Sequence, residues 1–385
     1  MRDARRPLFS SEHELYRDQV RRFIAAEITP HHERWEREGQ VDRALWKKAG
    51  DAGFLCPSLS EEHGGPGGDF LHSVVVLEDL AYAGTSGPGF FVHYKMVAPY
   101  LVAFGNADQQ QRWLPRLASG DAIGAIATSE PGAGSDLRGM RTRADRVGGG
   151  WKLSGQKVFI SNGQLADLAL VAAKTSSTDK NSVTLFLVDT SSKGFRRGRK
   201  LDKLGVHAQD TSELFFDEVF VPDDDVLGQP GDGFRQLMHG LGRERLAIAI
   251  SAVAKAEAAL DMTVQYTQDR KVFGDALSNF QNTRFSLADM KTEVSVGRGY
   301  VDNALQRFLA GDFDATDAAM AKLWTTEMLG RVADGCLQLH GGWGYMKEHT
   351  VSRLYVDARV ERIVGGTSEI MKEIIGRSLV APRKP

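Results

Sequence analysis

The sequence is poor in cysteine, and it has no long apolar run and no excess of charge of either sign. Its 385 residues include two cysteines, Cys56 and Cys336, which show no metal-ligand spacing and imply no disulfide framework. A reducing compartment fits so low a count. Lysine and arginine, 48 together, nearly balance 50 aspartates and glutamates, so no global field favours nucleic acid or an anionic membrane.

Signals of export and of membrane insertion are also missing. No run reaches the roughly 18 consecutive apolar residues that a spanning helix needs. Residues 1–20 are charged and pass directly into an amphipathic pattern, without an apolar segment followed by a small-residue cleavage site. We therefore expect a soluble intracellular protein, cytoplasmic in a bacterium or located in the mitochondrial matrix as a processed eukaryotic form.

Hydrophobic periodicity divides the chain into three regions. Residues 1–120 have mainly helical spacing. Short apolar runs between turn signals predict a compact β domain over 121–230, and its connections are too short for the crossover helices of a parallel sheet. Residues 231–385 return to long helices that suit a helical bundle. We predict a solvated loop for the basic segment 195–203.

One glutamate lies within an apolar stripe of the helix that follows residues 231–234. Leu237, Leu241 and Ile248 form this stripe at helical spacing, and Glu244 falls in its middle. No cation stands three or four residues away on either side. Two interpretations stay open. Glu244 either pairs with a distant arginine or turns to solvent, or it is a desolvated general base with a raised pKa, as proton abstraction beside a carbonyl requires.

Four further segments suit a ligand, although each also has a purely structural explanation as a turn, a capped helix or a surface pair. TSEPGAGSD (128–136) follows an apolar strand, and its glycines let backbone N–H groups face a ligand. GGTSEI (365–370) predicts a helix N-terminus capped by Thr367, a place where phosphate binds. QLHGGWGY (338–345) interleaves glycine with aromatic residues, and RKVFG (270–274) sets a cation near an aromatic ring at a helix end.

Taken in order, these segments resemble the acyl-CoA dehydrogenase family. The resemblance rests on TSEPGAGSD, KVFISNG, AQDTSELFF, RKVFG, QLHGGWGY and VDARVERIVGGTSEIMKEIIGR, which occur in the family's order and span nearly the whole chain. The later segments are most similar to the long-chain members. The resemblance implies an N-terminal helical domain (1–120), a middle β-barrel (121–230) and a C-terminal four-helix bundle (231–385).

The position of the catalytic base separates branches of this family. Many members carry a glutamate directly before the last Gly-Thr pair, where this chain has Gly365. The long-chain and isovaleryl branches instead place it on the helix that opens the bundle, and the corresponding residue here is Glu244. The resemblance therefore implies that Glu244 takes the α-proton of an acyl-CoA and that FAD accepts the β-hydrogen, which gives the trans-2-enoyl-CoA. We expect a medium- or long-chain acyl group, a role in fatty acid β-oxidation and electron-transfer flavoprotein as the acceptor.

The resemblance also implies the residues of the cofactor and substrate sites. The flavin is expected to lie against Ile126, Thr128, Gly134, Ser135, Phe159, Ile160 and Ser161. Further contacts to the dinucleotide are expected from Arg270, Phe273 and Gln281, across a subunit interface, and from Gln338, Leu339, His340, Gly341, Gly342, Thr367, Ser368 and Glu369. The acyl-CoA is expected to touch Ser135, Gly242, Arg245, Gly365 and Gly366. No metal is expected.

Several alternatives to this interpretation remain. A branched-chain or terpenoid acyl group suits the same position of the base, and the bulky segment GPGFFVHYKM (87–96), our predicted pocket floor, leaves little room for a long straight chain. An acyl-CoA oxidase would keep the fold and use oxygen, but the compact length favours a dehydrogenase. A non-catalytic protein that binds flavin or acyl-CoA would not need Glu244. Family members are usually homotetramers, and we expect a dimer of dimers here.

Overall fold

Helices occupy both ends of the chain, and a β-sheet lies between them, in a computed structural model that describes residues 6–176, 178–179 and 182–380. The N-terminal helices are α1 (Ser11–Phe23), α2 (Thr29–Glu38), α3 (Arg43–Asp51), α4 (Phe70–Tyr82), α5 (Ala98–Phe104) and α6 (Ala107–Ser119). Two π-helical turns, Ile24–Ile28 and Val92–Val97, lead directly into α2 and α5. Pro30 and Pro99 stand in the first turns of these two helices, where a missing N–H costs least.

Helix α4 is the central element of the N-terminal region, and it is buried on nearly every side. It begins with a capping box in which the Asp69 side chain accepts hydrogen bonds from the N–H groups of Leu71 and His72. Near its end the fully buried Glu78 binds Arg6 at 2.8 Å and, from the C-terminal region, Arg298 at 2.6 Å. Because a buried carboxylate must be paired, these contacts fix the N-terminal helices on the C-terminal ones.

The middle region is one eight-stranded sheet. Its strands are β1 (Gly124–Ala127), β2 (Arg143–Val147), β3 (Gly150–Ser161), β4 (Leu168–Lys174), β5 (Val183–Asp189), β6 (Phe195–Lys200), β7 (Thr211–Pro222) and β8 (Val226–Leu227). The order is β6-β7-β3-β2-β4-β5-β8, with β1 on β4. Only β1 with β4 and one residue pair of β2 with β4 are parallel within the described residues, so the prediction against a parallel sheet is confirmed.

The prediction of a solvated loop at 195–203 is wrong for its first six residues. They form β6, an antiparallel partner of β7 at one end of the sheet. Arg196 is exposed and lies over the Phe215 ring, 4.1 Å from its centroid, while Arg197 donates to the carbonyl of Ala166 at 2.6 Å. A run of cations is typical of an edge strand, where charge opposes pairing with another sheet.

The C-terminal region returns to helices. Its elements are α7 (Gly233–Asp269), the short strands β9 (Lys271–Val272) and β10 (Asp275–Ala276), α8 (Gln281–Leu309), α9 (Ala315–His340), α10 (Thr350–Val360) and α11 (Ser368–Val380). On α8, Met290, Val294 and Val301 are buried at helical spacing, so one face of this helix packs into the bundle. One apolar core joins both helical regions and a second fills the inner side of the sheet, as the predicted fold class requires. None of the described helices combines the length and apolarity of a membrane span.

Candidate active site

Glu244 lies in the third turn of α7, and its side chain is enclosed by the protein. Only 4% of the residue is exposed, and Leu237 and Ile248 on the same stripe are buried with it. Within the described residues the carboxylate forms no ion pair; its Oε1 accepts a hydrogen bond from the Tyr100 hydroxyl at 3.3 Å. Burial raises the pKa of Glu244 to about 7, although Arg243, Tyr100 and Arg245 act against that rise. A carboxyl group with this pKa is suited to proton transfer at neutral pH.

Tyr100 is the one direct hydrogen-bond partner of this carboxylate among the described residues. It comes from α5, and its hydroxyl also lies 3.4 Å from the carbonyl oxygen of Leu237. The ring packs against the backbone of Gly240, where an added Cβ would approach the Tyr100 hydroxyl to 2.3 Å. A larger residue at position 240 would therefore displace the tyrosine. The helix stripe places the carboxylate, and Tyr100 holds one of its oxygens.

A glycine pair faces the same part of α7. Gly365 and Gly366 have φ values of +65° and +99°, which favour glycine. The Arg245 Nε donates to the carbonyl oxygen of Gly365 at 3.1 Å, and the Lys322 Nζ donates to that of Gly366 at 2.8 Å. A Cβ at Gly365 would meet the Cδ1 atom of Ile248 at 2.6 Å. Two cations thus fix the loop before α11, and a side chain at position 365 would have to displace Ile248.

The loop at 128–136 is held to β3 by a buried ion pair. Lys157 Nζ lies 2.8 Å from Glu130 and donates to the carbonyl of Thr128 at 3.1 Å. Glu130 also accepts two backbone hydrogen bonds. Its Oε2 accepts the N–H of Arg141 at 2.6 Å, and its Oε1 accepts the N–H of Thr142 at 3.0 Å. With Val158 N–H bonded to the Ser129 carbonyl at 3.0 Å, the loop and the strand form one rigid unit.

This unit brings the predicted flavin residues of the loop next to those of the strand. Phe159 sits in a bulge of β3 with φ +62° and is 68% exposed, so a large ring faces outward beside Thr128. The Ile160 side chain is buried in the core of the sheet, which leaves only its backbone for a contact. Ile126 and Ser161 are half-buried, and Gly134 and Ser135 are exposed.

A second group of predicted residues lines a cavity of about 510 Å³ between the end of α7 and the end of α9. Six of the predicted dinucleotide contacts border it, namely Arg270, Gln338, Leu339, His340, Gly341 and Gly342. The ring of Tyr266 stacks on His340 at 4.2 Å and forms one wall. Added Cβ atoms at Gly341 and Gly342 would meet nothing within 4 Å, so the backbone there is open.

Two predicted residues lie apart from this cavity. Phe273 is not at a helix end as predicted; it occupies the turn between β9 and β10, with φ +51°. The ring is 99% exposed and is edge-on to Phe280, with 6.4 Å between centroids. Gln281 is exposed at the start of α8. Neither residue borders the cavity, and both are exposed.

The predicted cap of the last helix is confirmed. The hydroxyl oxygen of Thr367 accepts the N–H of Ile370 at 3.4 Å. Ser368 is buried and donates to Glu327 at 2.7 Å, so its hydroxyl is already bonded within the protein. Hydrogen bonds from its own N–H and from Thr367 lower the pKa of Glu369, which is fully exposed in the first turn. The hydroxyls of Thr367 and Ser368 are thus bonded within the protein, whereas the carboxylate of Glu369 faces solvent.

The chemistry of these residues fits FAD. A flat ring needs an accessible aromatic or apolar wall, which Phe159 offers beside the loop at 128–136. A pyrophosphate needs a cation and backbone that it can approach closely. Arg270 and the open glycines 341 and 342 provide these around the cavity, and Gly132 and Gly134 are equally open on the loop.

Comparison with protein families agrees with this geometry. The chain matches the acyl-CoA dehydrogenase N-terminal domain over residues 10–121, the middle domain over 125–219 and the C-terminal domain over 231–380. The mitochondrial long-chain specific acyl-CoA dehydrogenase of Rattus norvegicus is 46% identical over 379 residues, which cover 98% of this chain and 88% of the relative. The mitochondrial isovaleryl-CoA dehydrogenase of Solanum tuberosum is 37% identical, over 97% of this chain and 91% of the relative.

Solved structures show the same fold. An acyl-CoA dehydrogenase from Geobacillus kaustophilus superposes with a TM-score of 0.95 at 44% identity, covering 97% of this chain and 99% of the other. A glutaryl-CoA dehydrogenase from Mycobacterium smegmatis in complex with FADH2 superposes with a TM-score of 0.91 at 31% identity, covering 98% and 96%. The chain therefore belongs to the acyl-CoA dehydrogenase family of FAD-dependent oxidoreductases.

Proposed function

We propose that this protein oxidises the Cα–Cβ bond of an acyl-CoA and that Glu244 removes the α-proton. The observation that carries the proposal is a buried carboxylate without an ion pair among the described residues, whose pKa is raised to about 7. A structural glutamate in such a place would need a cation, because an unpaired buried charge is costly. A base must instead stay unpaired until the substrate arrives, and with a pKa of about 7 a substantial fraction of Glu244 is ionised near neutral pH.

The surroundings of Glu244 support its role as a base. The Tyr100 hydroxyl holds one carboxylate oxygen, so the other oxygen is left to face the substrate. The enclosure by Leu237 and Ile248 excludes water, which strengthens every remaining electrostatic contact. The cofactor supplies the complementary chemistry, since an oxidised flavin accepts the β-hydrogen as hydride.

The glycine pair is our proposed site for the thioester carbonyl. On the strength of the family resemblance, we propose that a backbone N–H at or beside Gly365 is the donor. The bonds from Arg245 and Lys322 hold the two carbonyl groups of the pair, and so they fix the direction in which its N–H groups point. A preorganised donor of this kind stabilises the charge that develops on the carbonyl oxygen as the proton leaves.

We propose that a second subunit completes the cofactor site. Phe273 is almost fully exposed at the tip of a hairpin in a left-handed conformation, and such a residue gains most by packing against another chain or its ligand. Together with exposed Gln281, it supports contacts to FAD across an interface, in a homotetramer built as a dimer of dimers. Electron-transfer flavoprotein is the proposed acceptor.

The acyl chain is proposed to be a medium- or long-chain fatty acyl group processed in β-oxidation, by analogy with the long-chain relative at 46% identity. The isovaleryl relative at 37% identity keeps a branched-chain substrate as the second candidate. Proposed locations are the bacterial cytoplasm or the mitochondrial matrix. The residues named for FAD and acyl-CoA in the sequence analysis remain proposed contacts, with the side chains of Ile160 and Ser368 removed from that set.

An anaerobic absorbance titration tests the proposed function. The purified protein is expected to show flavin bands that bleach on addition of acyl-CoA, and the most effective member of a panel of straight, branched and terpenoid acyl groups identifies the chain. Replacing Glu244→Gln is expected to keep the bands and to slow bleaching by about 10²–10⁴-fold, the usual contribution of a general base.

The matched control is Glu257→Gln. Glu257 lies on the same helix and is paired with Arg298 at 2.7 Å, so its loss is expected to leave bleaching in place. Equal bleaching by the Glu244→Gln variant and the wild type would move the base elsewhere. Hydrogen peroxide formed in proportion to substrate would make the protein an oxidase.

A further inference from the structure

A lysine is buried in the segment that the sequence analysis assigned to the pocket floor. Lys95 lies in the π-helical turn before α5 and is 2% exposed. Its Nζ lies over the Phe70 ring, 3.9 Å from the centroid, and 5.5 Å from that of Tyr94. No carboxylate, carbonyl or hydroxyl group of the described residues binds this nitrogen. Attraction to a ring face compensates only part of the cost of burying an ammonium group.

A second cation without an acidic partner stands next to the proposed base. Arg243 precedes Glu244 on α7, and its buried Nε has no hydrogen-bond partner within the described residues. Its charge acts on Glu244, on Tyr100 and on Lys95, so these four side chains form one cluster. Burial lowers the pKa of both Lys95 and Arg243; the charge of Arg243 lowers that of Lys95 further, whereas the neighbouring Glu244 acts against the fall in the pKa of Arg243. We refer to Lys95 and Arg243 as the cationic pair.

The position of the cationic pair relates it to the acyl group. The turn that carries Lys95 continues into α5, whose Tyr100 binds Glu244, and its His93 accepts the N–H of Gly124 at the start of β1. That strand leads directly into the loop at 128–136, and the turn contacts both β1 and α7, the helix that carries Glu244 and Arg243. A group that extended past Glu244 towards the predicted pocket floor would reach Lys95 on this turn and Arg243 on α7.

The chemistry of the pair selects its ligand. A methyl-terminated chain would press apolar atoms against the buried Lys95 nitrogen and the Nε of the half-buried Arg243, and it would give neither nitrogen a hydrogen-bond acceptor. A carboxylate would accept hydrogen bonds from each and would neutralise their repulsion, and guanidinium and ammonium groups both bind carboxylates strongly when water is excluded. Resting on the proposed function, we infer that the acyl group carries a carboxylate at its far end, bound by Lys95 and Arg243, so that the substrate is the monothioester of a dicarboxylic acid.

Turnover of matched substrates tests this inference with the holoenzyme and an artificial electron acceptor. The panel pairs each methyl-terminated acyl-CoA with the ω-carboxyacyl-CoA of the same carbon number, over a series of lengths. At one length or over a narrow range, kcat/KM is expected to favour the carboxylate form by at least about tenfold, the minimum for one well-placed charged contact.

Variants of the pair show whether it causes the preference. Lys95→Met and Arg243→Gln are each expected to lower the ratio of carboxylate to methyl turnover by about tenfold or more, chiefly through KM. Lys193→Met removes an exposed lysine from the turn between β5 and β6 and is expected to keep the ratio. If Lys95→Met does not fold, the ratio measured for Arg243→Gln alone shows whether the cationic pair causes the preference.

Two results would overturn the inference. Methyl-terminated substrates preferred at every length would show that no carboxylate is bound, and an equal loss of both substrate classes in the variants would make the cationic pair structural. Failure of the proposed function looks different, because then neither class of acyl-CoA bleaches the flavin.

Discussion

The two sides of the proposed site are built in opposite ways. Glu244 is enclosed by its own chain and bonded to Tyr100, whereas the cavity near α9 is lined by open glycines and Phe273 is 99% exposed. The residues around the proposed base are therefore fixed before any ligand binds. The residues proposed to contact the nucleotide are instead exposed and open to the cofactor. Substitutions on the first side should change the chemistry and keep the cofactor. Those on the second should release the cofactor and leave the base intact.

The largest effect on stability is expected where the loop at 128–136 is fixed to the sheet. Lys157→Met leaves the carboxylate of Glu130 buried without its cation, which costs about 3–5 kcal/mol for a broken buried pair. Lys152→Met on the same strand is the control. Its pair with Glu218 at 2.9 Å is exposed, and its loss is expected to cost about 0–1 kcal/mol. Denaturant unfolding measures both, and equal losses would show that the loop does not depend on the buried pair.

A smaller effect is expected on the base side. Tyr100→Phe removes a hydrogen bond that favours the ionised carboxylate. The pKa of Glu244 should therefore rise from its value of about 7. Because only the ionised form takes a proton, the rising limb of the pH–rate profile should move to higher pH. The expected shift is about one unit, since the bond is long. A profile that keeps its midpoint while the rate falls would give Tyr100 a purely structural role.

The smallest effect is expected at the hairpin. Phe273→Ala removes a fully exposed ring, so stability should change by less than about 0.5 kcal/mol. If the ring packs on FAD of a neighbouring subunit, cofactor affinity should fall by about tenfold, the value of one aromatic contact. Titration of apoprotein with FAD measures this. Phe285→Ala, at another exposed ring on α8, is the control, and an equal response from both would remove the special role of Phe273.

Much of this site could be predicted from local patterns in the sequence. Helical periodicity placed Glu244 in the stripe of Leu237 and Ile248 but left open whether its carboxylate is buried, and the structure shows that it is. The choice of Glu244 as the base came from the family resemblance, in which Gly365 occupies the position where many members carry the catalytic glutamate. The cap at Thr367 also depends on a few neighbouring residues, and it is confirmed.

Contacts between distant segments were not predictable in this way. Tyr100 is 144 residues from Glu244, and nothing in its helix marks it as a carboxylate partner. The buried pair of Lys157 with Glu130 was not predicted either, because 27 residues separate the two and only the fold brings them together. The edge strand β6 was missed because its arginines obscure the alternation of a strand, although charge of this kind is what protects an edge. The predicted pocket floor was noted for its bulk, and the burial of Lys95 within it emerged only from the structure.

Removal of the α-proton by Glu244 is tested most directly by rapid anaerobic mixing with acyl-CoA deuterated at the α-carbon. The wild type should bleach more slowly with the deuterated substrate than with the unlabelled one, and its rate should rise through a pKa of about 7. The Glu244→Gln variant should retain its flavin and lose this reaction by at least about 10²-fold. A variant that bleaches at the wild-type rate, with the same isotope effect, would contradict the assignment.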